Sequence, residues 1–207
     1  MKTMLLPIDD PQAVPMALEL IRAGGLVAFP TDTVYGLAAD LHNEKAINNL
    51  FAAKGREMNK AIAVLVGSVE QLDEITPGFS EPAKILAARF WPGALTLVVS
   101  RRHELPDVLS ALPTIGVRMP DHAFAVQFLK ETGPLAVTSA NISGADNPLT
   151  ALDVLEQLGG QVDLILDGGR CPGGIPSTVV DCTIPDVKVL RQGAISSEEI
   201  FRAVGSS

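Results

Sequence analysis

The sequence contains few of the residues that build metal centres and redox sites. Among its 207 residues, two are cysteine and three are histidine. Cys171 and Cys182 form no CxxC motif, and the histidines form neither an HExxH motif nor a pair at i and i+4. These absences argue against a zinc or thiol-redox protein, so we expect both cysteines to be ordinary thiols and no metal site built from histidines.

Long apolar runs are also absent. No stretch of 18 or more apolar residues occurs, and residues 1–10 carry a single lysine with no long apolar region or small-residue cleavage site. The sequence therefore predicts neither a membrane span nor a signal peptide. We expect a cytoplasmic protein with no membrane partner.

Positive charge and aromatic residues are both scarce. The chain has 16 Lys and Arg against 24 Asp and Glu, a formal net charge of −8, which argues against broad electrostatic binding of nucleic acid. Hydrophobic residues make up 47% of the chain and aromatic residues only 4%, so Ala, Val, Leu and Ile must form the core. Such an interior is typical of helix-covered parallel or mixed sheets and favours an α/β fold.

Helical and extended patterns alternate along the whole chain, which predicts a single α/β domain over residues 1–207. Asn43, Asp121 and Thr150 are predicted helix N-caps. The strings "STVVDCT" and "KVLRQG" predict two late strands too close together for a crossover helix, so the open sheet should be mixed.

Polar side chains follow several predicted strands. In "FPTDTVYGLAAD", Pro30 ends a strand because it cannot donate to a ladder, and Thr31, Asp32 and Thr33 follow it. Similar groups flank the other strands: Thr114, Arg118, Ser139, Asn141, Ser143, Ser177 and Arg191. Ligands of open α/β sheets bind outside strand ends, so these groups could converge on one crevice.

Cations concentrate in "AKGREMNKA", which holds Lys54, Arg56 and Lys60 beside one acid. They could complement a helix dipole or receive an anionic ligand. Arg118 lies within an apolar strand pattern, where an unpaired cation is costly. A salt bridge to an acid at the edge of the core is the alternative to a ligand role.

The sequence has no GxxxxGK[ST] or GxGxxG phosphate loop, and no nucleophile elbow or protease signature. The glycines of "DGGRCPGGIPST" could equally form a surface loop. An enzyme with this composition should therefore act by positioning substrates and neutralising charge rather than through a protein nucleophile.

Seven strings in order, from about residue 15 to about residue 200, resemble the YrdC/Sua5 family: "FPTDTVYGLAAD", "KGREMNKAIAVLV", "FWPGALTLVV", "IGVRMPDH", "TSANISG", "STVVDCT" and "VLRQGAIS". The resemblance implies a twisted open sheet with a concave, positively charged cavity. It also implies a nucleotidyltransferase that joins L-threonine, bicarbonate or CO2, and ATP into L-threonylcarbamoyl-AMP with release of pyrophosphate. Mg²⁺ would enter with ATP. Partner proteins would transfer the threonylcarbamoyl group to adenosine 37 of tRNA, and tRNA itself is a further candidate partner.

The resemblance also implies roles for individual residues. Those matching catalytic positions are Lys54, Arg56, Ser139 and Asn141. Those matching ATP-binding positions are Lys54, Arg56, Thr114, Ser139, Asn141, Asn147 and Arg191, to which the cation Lys60 is added. Those matching threonine-binding positions are Thr33, Arg118 and Ser177.

Three positions depart from the family pattern. Leu65 stands where some members have a threonine-contacting histidine, Lys60 replaces an asparagine, and "GGIPST" lacks the glutamate of the common Gly-Val-Glu-Ser-Thr form. The chain resembles the short, single-domain members of the family.

Two other functions stay open at this point. One is a non-catalytic RNA-binding or ribosome-associated module on the same fold. The other is carbamoyl-adenylate chemistry of the kind found in hydrogenase maturation proteins. The acidic composition counts against the first, and the absence of acylphosphatase and zinc-finger segments counts against the second.

Overall fold

A single mixed sheet forms the centre of the fold in the computed structural model, which describes residues 2–58 and 60–205. Its ten described strands are β1 Met4–Pro7, β2 Val27–Phe29, β3 Gly36–Asp40, β4 Ala63–Leu65, β5 Leu95–Ser100, β6 Thr114–Arg118, β7 Leu135–Ser139, β8 Leu164–Asp167, β9 Thr178–Asp181 and β10 Lys188–Arg191. They lie in the order β1-β8-β2-β3-β7-β4-β6-β5-β9-β10, so β1 and β10 are the two edges of an open sheet. The predicted α/β class with a mixed open sheet is confirmed, and β9 and β10 are antiparallel neighbours as expected.

Six α-helices flank the sheet in the described part of the chain. They are α1 Ala13–Arg22, α2 Glu44–Lys54, α3 Glu81–Phe90, α4 Ala123–Thr132, α5 Ala151–Leu158 and α6 Ser197–Ala203. Short 3₁₀ helices cover Glu70–Glu74 and Asp107–Leu109. Within residues 2–58 and 60–205, no helix combines the length and the apolar character needed to cross a bilayer.

Local side-chain chemistry sets the helix boundaries. The side chain of Asn43 accepts a hydrogen bond from the Ala46 amide at 3.1 Å, and Gly55 ends α2 with a left-handed φ of 56°. Thr150 begins α5 as predicted and forms a capping box with Asp153. These signals place the last residue of α2, Lys54, beside a sharp turn.

The predicted cap at Asp121 is wrong. His122 is the N-cap of α4, and its Nδ1 accepts from the Ala125 amide at 3.3 Å. An unprotonated imidazole nitrogen satisfies the same free amide that a carboxylate oxygen would. His122, the residue after Asp121, therefore caps α4 in its place.

The two faces of the sheet are covered unequally. Alternate strand residues pack on one face against α2, α3, α5 and α6 and form the larger apolar cluster. The opposite cluster is smaller, because only α1 and α4 supply helical residues to it, over β2, β3, β7 and β8. The second face is consequently left without a helix over β6, β5 and β9.

Candidate active site

A cavity of about 470 Å³ lies on this uncovered half of the sheet. Its floor consists of the residues of β5, β6 and β9 that alternate with core residues. On β6, for example, Val117 is buried in the core, whereas its neighbours Gly116 and Arg118 line the cavity. A volume of this size falls within the range of small-molecule sites.

Eight of the eleven predicted site residues line the cavity: Thr33, Arg56, Thr114, Arg118, Ser139, Asn147, Ser177 and Arg191. Lys54 and Asn141 lie directly behind its wall, and Lys60 lies outside it. Most of the polar residues that follow separate strands in the sequence therefore converge on one crevice, whereas Asp32, Asn141 and Ser143 are not among its described lining residues.

Three arginines line the cavity, together with Asp181, the one carboxylate among the described lining residues. Burial lowers the pKa of Arg56, Arg118 and Arg191, and the charge of Arg191 lowers the pKa of the other two further. The guanidinium group of Arg191 thus repels both of the others. An anion placed between them would relieve that repulsion.

The hydrogen bonds of Arg118 fix its guanidinium group. Its Nε donates to the Gly93 carbonyl at 2.9 Å, its Nη1 donates to Thr33 Oγ1 at 3.0 Å, and its Nη2 forms an ion pair with Asp32. The salt bridge considered as the alternative for Arg118 is thus present. These contacts use three of the five N–H donors of an arginine, and the guanidinium still lines the cavity.

The loop after β2 is organised by its own hydroxyl groups. Thr31 Oγ1 donates to the Val34 carbonyl at 2.7 Å and accepts from the Thr33 amide at 3.1 Å. Tyr35 next to it is fully buried, and its hydroxyl donates to the Gly169 carbonyl at 2.7 Å. The break in apolar character after Phe29 is therefore a wall of the cavity, anchored to the core by Tyr35.

Ser177 is held between two other polar residues. Its Oγ lies 2.8 Å from Thr96 Oγ1, and Arg191 Nη2 donates to its carbonyl oxygen at 2.8 Å. Neither Arg191 nor Arg56 forms an ion pair within residues 2–58 and 60–205. Arg56 instead donates through Nη2 to the Ala61 carbonyl at 2.9 Å. Both cations are therefore held in place by uncharged partners.

Lys54 is 1% exposed and has no carboxylate among its described hydrogen-bond partners. Its Nζ donates to the carbonyl oxygens of Ser139 and Asn141 and, at 3.3 Å, to Asn141 Oδ1. Burial, assisted by the charge of Arg56, lowers the pKa of Lys54 to about 7. The ammonium group joins the end of α2 to the turn after β7.

Asn141 and Lys60 differ from the other predicted residues. The amide group of Asn141 donates to the Ala145 carbonyl at 2.8 Å and accepts from Ser139 Oγ, so it shapes the turn that carries Ser139. Lys60 is exposed and lies 3.6 Å from Glu57 in a surface ion pair. Lys60 is thus a predicted cation that the fold places on the surface, whereas Lys54 is buried behind the cavity wall.

Sequence reasoning missed several lining residues, among them Thr96, Thr138 and Asp181. Thr96 offered a signal, because it is a polar residue at an alternate position of the apolar string "ALTLVVS". Asp181 offered a similar signal in "STVVDCT". Leu65, which stands where some family members have histidine, lines the cavity and makes that part of its wall apolar.

The family model for Sua5, YciO and YrdC proteins, described as "Telomere recombination", matches residues 19–193. A threonylcarbamoyl-AMP synthase of Bacillus subtilis is 40% identical, over 97% of this chain and 58% of that protein. A putative threonylcarbamoyl-AMP synthase of Mycobacterium tuberculosis is also 40% identical, over 96% of this chain and 92% of the relative. The crystal structure of Pyrococcus abyssi Sua5 complexed with L-threonine superposes with a TM-score of 0.93 at 38% identity, covering 100% of this chain and 62% of that one.

The chain thus spans about three fifths of the length of the Bacillus protein and nearly all of the mycobacterial one. The matched region contains the polar loops and the three arginines of the cavity described above. Sequence, fold and extent of the match agree, and the chain belongs to the Sua5/YciO/YrdC family.

Proposed function

We propose that this protein is a nucleotidyltransferase that forms L-threonylcarbamoyl-AMP and pyrophosphate from L-threonine, bicarbonate or CO2, and ATP. The observation that carries the proposal is the grouping of Arg56, Arg118 and Arg191 in one cavity of an otherwise acidic molecule. The names of the related proteins and the threonine complex of the Pyrococcus protein support it.

The proposed reaction begins with the amino acid. The neutral amine of threonine adds to CO2 and releases a proton, which gives a carbamate. A carbamate oxygen then attacks the α-phosphorus of ATP, and the bond to the bridging oxygen breaks as pyrophosphate leaves. The substrate brings its own nucleophile, so the absence of an activated serine or cysteine is no obstacle.

Charge neutralisation is the main task left to the protein. A carbamate and a triphosphate repel each other, and cations in a partly buried cleft offset that repulsion more strongly than bulk water does. Arg56 and Arg191 have uncharged partners and are assigned to the phosphates. Thr114, Ser139 and Asn147 complete the nucleotide site in this proposal. Lys54 and Asn141 support it from behind by holding Ser139, whereas Lys60 would need to move to take part.

Arg118 is assigned to the threonine carboxylate. A planar guanidinium with two remaining N–H donors suits a carboxylate better than an ammonium does. Thr33 and Ser177 flank it and offer hydroxyl groups to the amino acid. The apolar side chain of Leu65 leaves the recognition of threonine to these groups.

Magnesium is proposed to enter with ATP. The described residues contain no group of three or more His, Cys, Asp or Glu suited to hold a metal, and Asp181 is the one carboxylate of the described cavity lining. Phosphate oxygens and water are the usual ligands of Mg²⁺ at such sites. The ion would neutralise part of the phosphate charge.

The remaining expectations complete the proposal. The intermediate would pass to partner proteins that modify adenosine 37 of tRNA, and the protein would work in the cytoplasm. Direct contact with tRNA would need a local basic surface, because the whole chain carries a net charge of −8.

The decisive experiment measures pyrophosphate release from ATP in the presence of bicarbonate and Mg²⁺, with and without L-threonine. We expect release that depends on threonine and a product with the mass of threonylcarbamoyl-AMP. Serine and valine serve as controls for the hydroxyl and methyl groups of the substrate. Threonine-independent release, or RNA binding without any release, would reject the proposal in favour of a different adenylate chemistry or a binding module.

A further inference from the structure

Asp181 faces the same cavity as the three arginines, although it carries the opposite charge. On β9, Thr178 and Val180 are fully buried, whereas Val179 and Asp181 line the cavity. The reaction proposed above gives a carboxylate among phosphate-binding groups no task. Its position in the sheet therefore calls for a separate explanation.

A flat apolar strip leads across the floor to Asp181. In the strand register, Asp181 pairs with Val98 of β5, and Val98 pairs with Gly116 of β6. Gly116 contributes no side chain, and a Cβ there would lie 3.0 Å from a methyl carbon of Thr96. Val98, the Thr96 methyl group and the side-chain-free Gly116 therefore give a planar ring an apolar surface to lie on.

Two exposed leucines border this strip. Leu112 and Leu190 line the cavity, yet they are 64% and 51% exposed. Covering apolar side chains at the mouth of a polar cavity with an apolar or aromatic surface is favourable, because it removes their surface from water. Both the strip and its borders thus suit the faces of a nucleobase.

The distance from Asp181 to the phosphate-binding groups also suits a nucleoside. Val179 pairs with Arg191, and it lies two residues before Asp181 on the same strand. At a rise of about 3.3 Å per residue, the position on β9 that pairs with Arg191 lies roughly 7 Å from Asp181. A phosphate held at Arg191 leaves the sugar and the base to extend toward Asp181.

The carboxylate of Asp181 is oriented by its neighbour. Its Oδ1 accepts from the amide of Thr183 at 2.9 Å and from the Thr183 hydroxyl at 2.6 Å. Its Oδ2 has no protein donor within the described residues, and Lys188, the opposite residue in the register, forms no ion pair with it there. An ionised carboxylate only accepts hydrogen bonds, so Asp181 selects a ligand edge that donates.

We propose that Asp181 is a specificity-determining residue that accepts a hydrogen bond from the exocyclic amino group of the nucleobase. This inference rests on the proposed function, because it assigns the base end of the same nucleotide site. Adenine presents an amino group at position 6, whereas hypoxanthine presents a carbonyl oxygen there. The carboxylate therefore favours ATP over inosine triphosphate.

The test compares the binding of ATP and inosine triphosphate by calorimetry, with Mg²⁺ and without threonine. We expect the wild-type protein to bind ATP about 10- to 100-fold more tightly, as one charge-assisted hydrogen bond against one repulsive contact would give. In Asp181→Asn the amide can donate to the hypoxanthine oxygen, so the preference should fall to near one or reverse. Asp186→Asn makes the same change of charge on an exposed residue of the β9–β10 turn and should keep the wild-type ratio.

Four results would overturn the proposal. An unchanged preference in a folded Asp181→Asn protein would exclude a role in reading the base. Equal weakening for both nucleotides, accompanied by a higher Mg²⁺ requirement, would mean that Asp181 acts on the metal or the general charge of the site. If the wild-type protein bound neither nucleotide, the proposed function itself would fail, whereas binding of ATP with no discrimination would reject only the reading of the base.

Discussion

Arg118 and Asp32 form an ion pair at the wall of the cavity in which the arginine side chain is 7% exposed and the aspartate 13% exposed. The pair holds the guanidinium plane in one orientation before any substrate arrives. Loss of the Arg118 guanidinium would be destabilising, because it would leave the Asp32 carboxylate as an uncompensated charge.

Arg118→Lys is expected to keep the charge and lose the planar fork. The KM for threonine should rise by about 10- to 100-fold with a smaller change in kcat, since binding of the carboxylate is lost more than the chemical step. Arg101→Lys is the matched control, because Arg101 pairs with Asp107 outside the cavity. Steady-state kinetics at saturating ATP measure the effect. A second series varies ATP at saturating threonine. A higher KM for ATP with an unchanged KM for threonine would place the carboxylate contact elsewhere.

The pH dependence of stability should reveal the buried ammonium group of Lys54. Its pKa is about 7 in the folded protein against an ordinary value of 10.5. Between these values the unfolded chain binds a proton that the folded protein has released, so raising the pH stabilises the folded state. Relative to Lys54→Met, the wild-type free energy of unfolding should increase by up to about 1.4 kcal/mol per pH unit above pH 7.

Urea unfolding at several pH values measures this difference. Lys84→Met removes an exposed lysine of α3 that pairs with Glu81, and its stability should follow the wild-type curve. Parallel curves for the wild-type and Lys54→Met proteins would show that the ammonium group keeps its ordinary protonation when folded.

Gly193→Ala should disturb the threonine end of the cavity. A Cβ at Gly193 would lie 2.1 Å from the Pro176 carbonyl oxygen and 2.5 Å from the Ser177 carbonyl carbon. The clash is with backbone, so the segment that carries Ser177 must shift. We expect a loss of about 1–3 kcal/mol in stability and a several-fold higher KM for threonine.

Gly159→Ala controls for destabilisation alone. Its Cβ would meet the Leu155 carbonyl oxygen at 2.5 Å, at the end of α5 and away from the cavity lining. Thermal unfolding should show a comparable loss, with the KM for threonine unchanged. If both variants altered KM alike, the effect of Gly193 would be one of global stability.

Both cysteines should resist alkylation in the folded protein. Cys171 and Cys182 are 3% and 2% exposed, and burial raises the pKa of each thiol, to about 12 for Cys182. The reactive thiolate is therefore scarce at neutral pH. Mass spectrometry after iodoacetamide treatment should show no labelling without urea and two labels with it. Rapid labelling of either residue in the native protein would contradict the buried placement.

Much of the fold could be predicted because local signals and tertiary packing agree. Asn43, Gly55 and Thr150 mark helix ends through chemistry that operates within a few residues. The string "GLAAD" of β3 was not predicted as a strand, because glycine and alanine have low strand propensity. Its strand conformation is fixed by neighbours on both sides, β2 and β7, which only the folded chain brings together.

The candidate site could be predicted in part for the same reason. Residues at strand ends reach the cavity because topology carries them there, as for Arg118 and Ser177. Sequence could not tell that Lys54 would turn its ammonium group toward the carbonyls of Ser139 and Asn141. The direction of a side chain at a helix end depends on a turn more than 80 residues away along the chain, and nothing within α2 encodes it.

The uncovered half of the sheet ties ligand binding to strand register. On β5, β6 and β9 each residue of the cavity floor has a neighbour in the hydrophobic core, one position away along the chain. A deletion of one residue inside any of these strands would turn core residues such as Leu97 or Val180 toward the ligand and bury cavity residues such as Thr96 or Asp181. Evolution can therefore alter specificity here by substitution at alternate positions, but insertions and deletions must be confined to the loops.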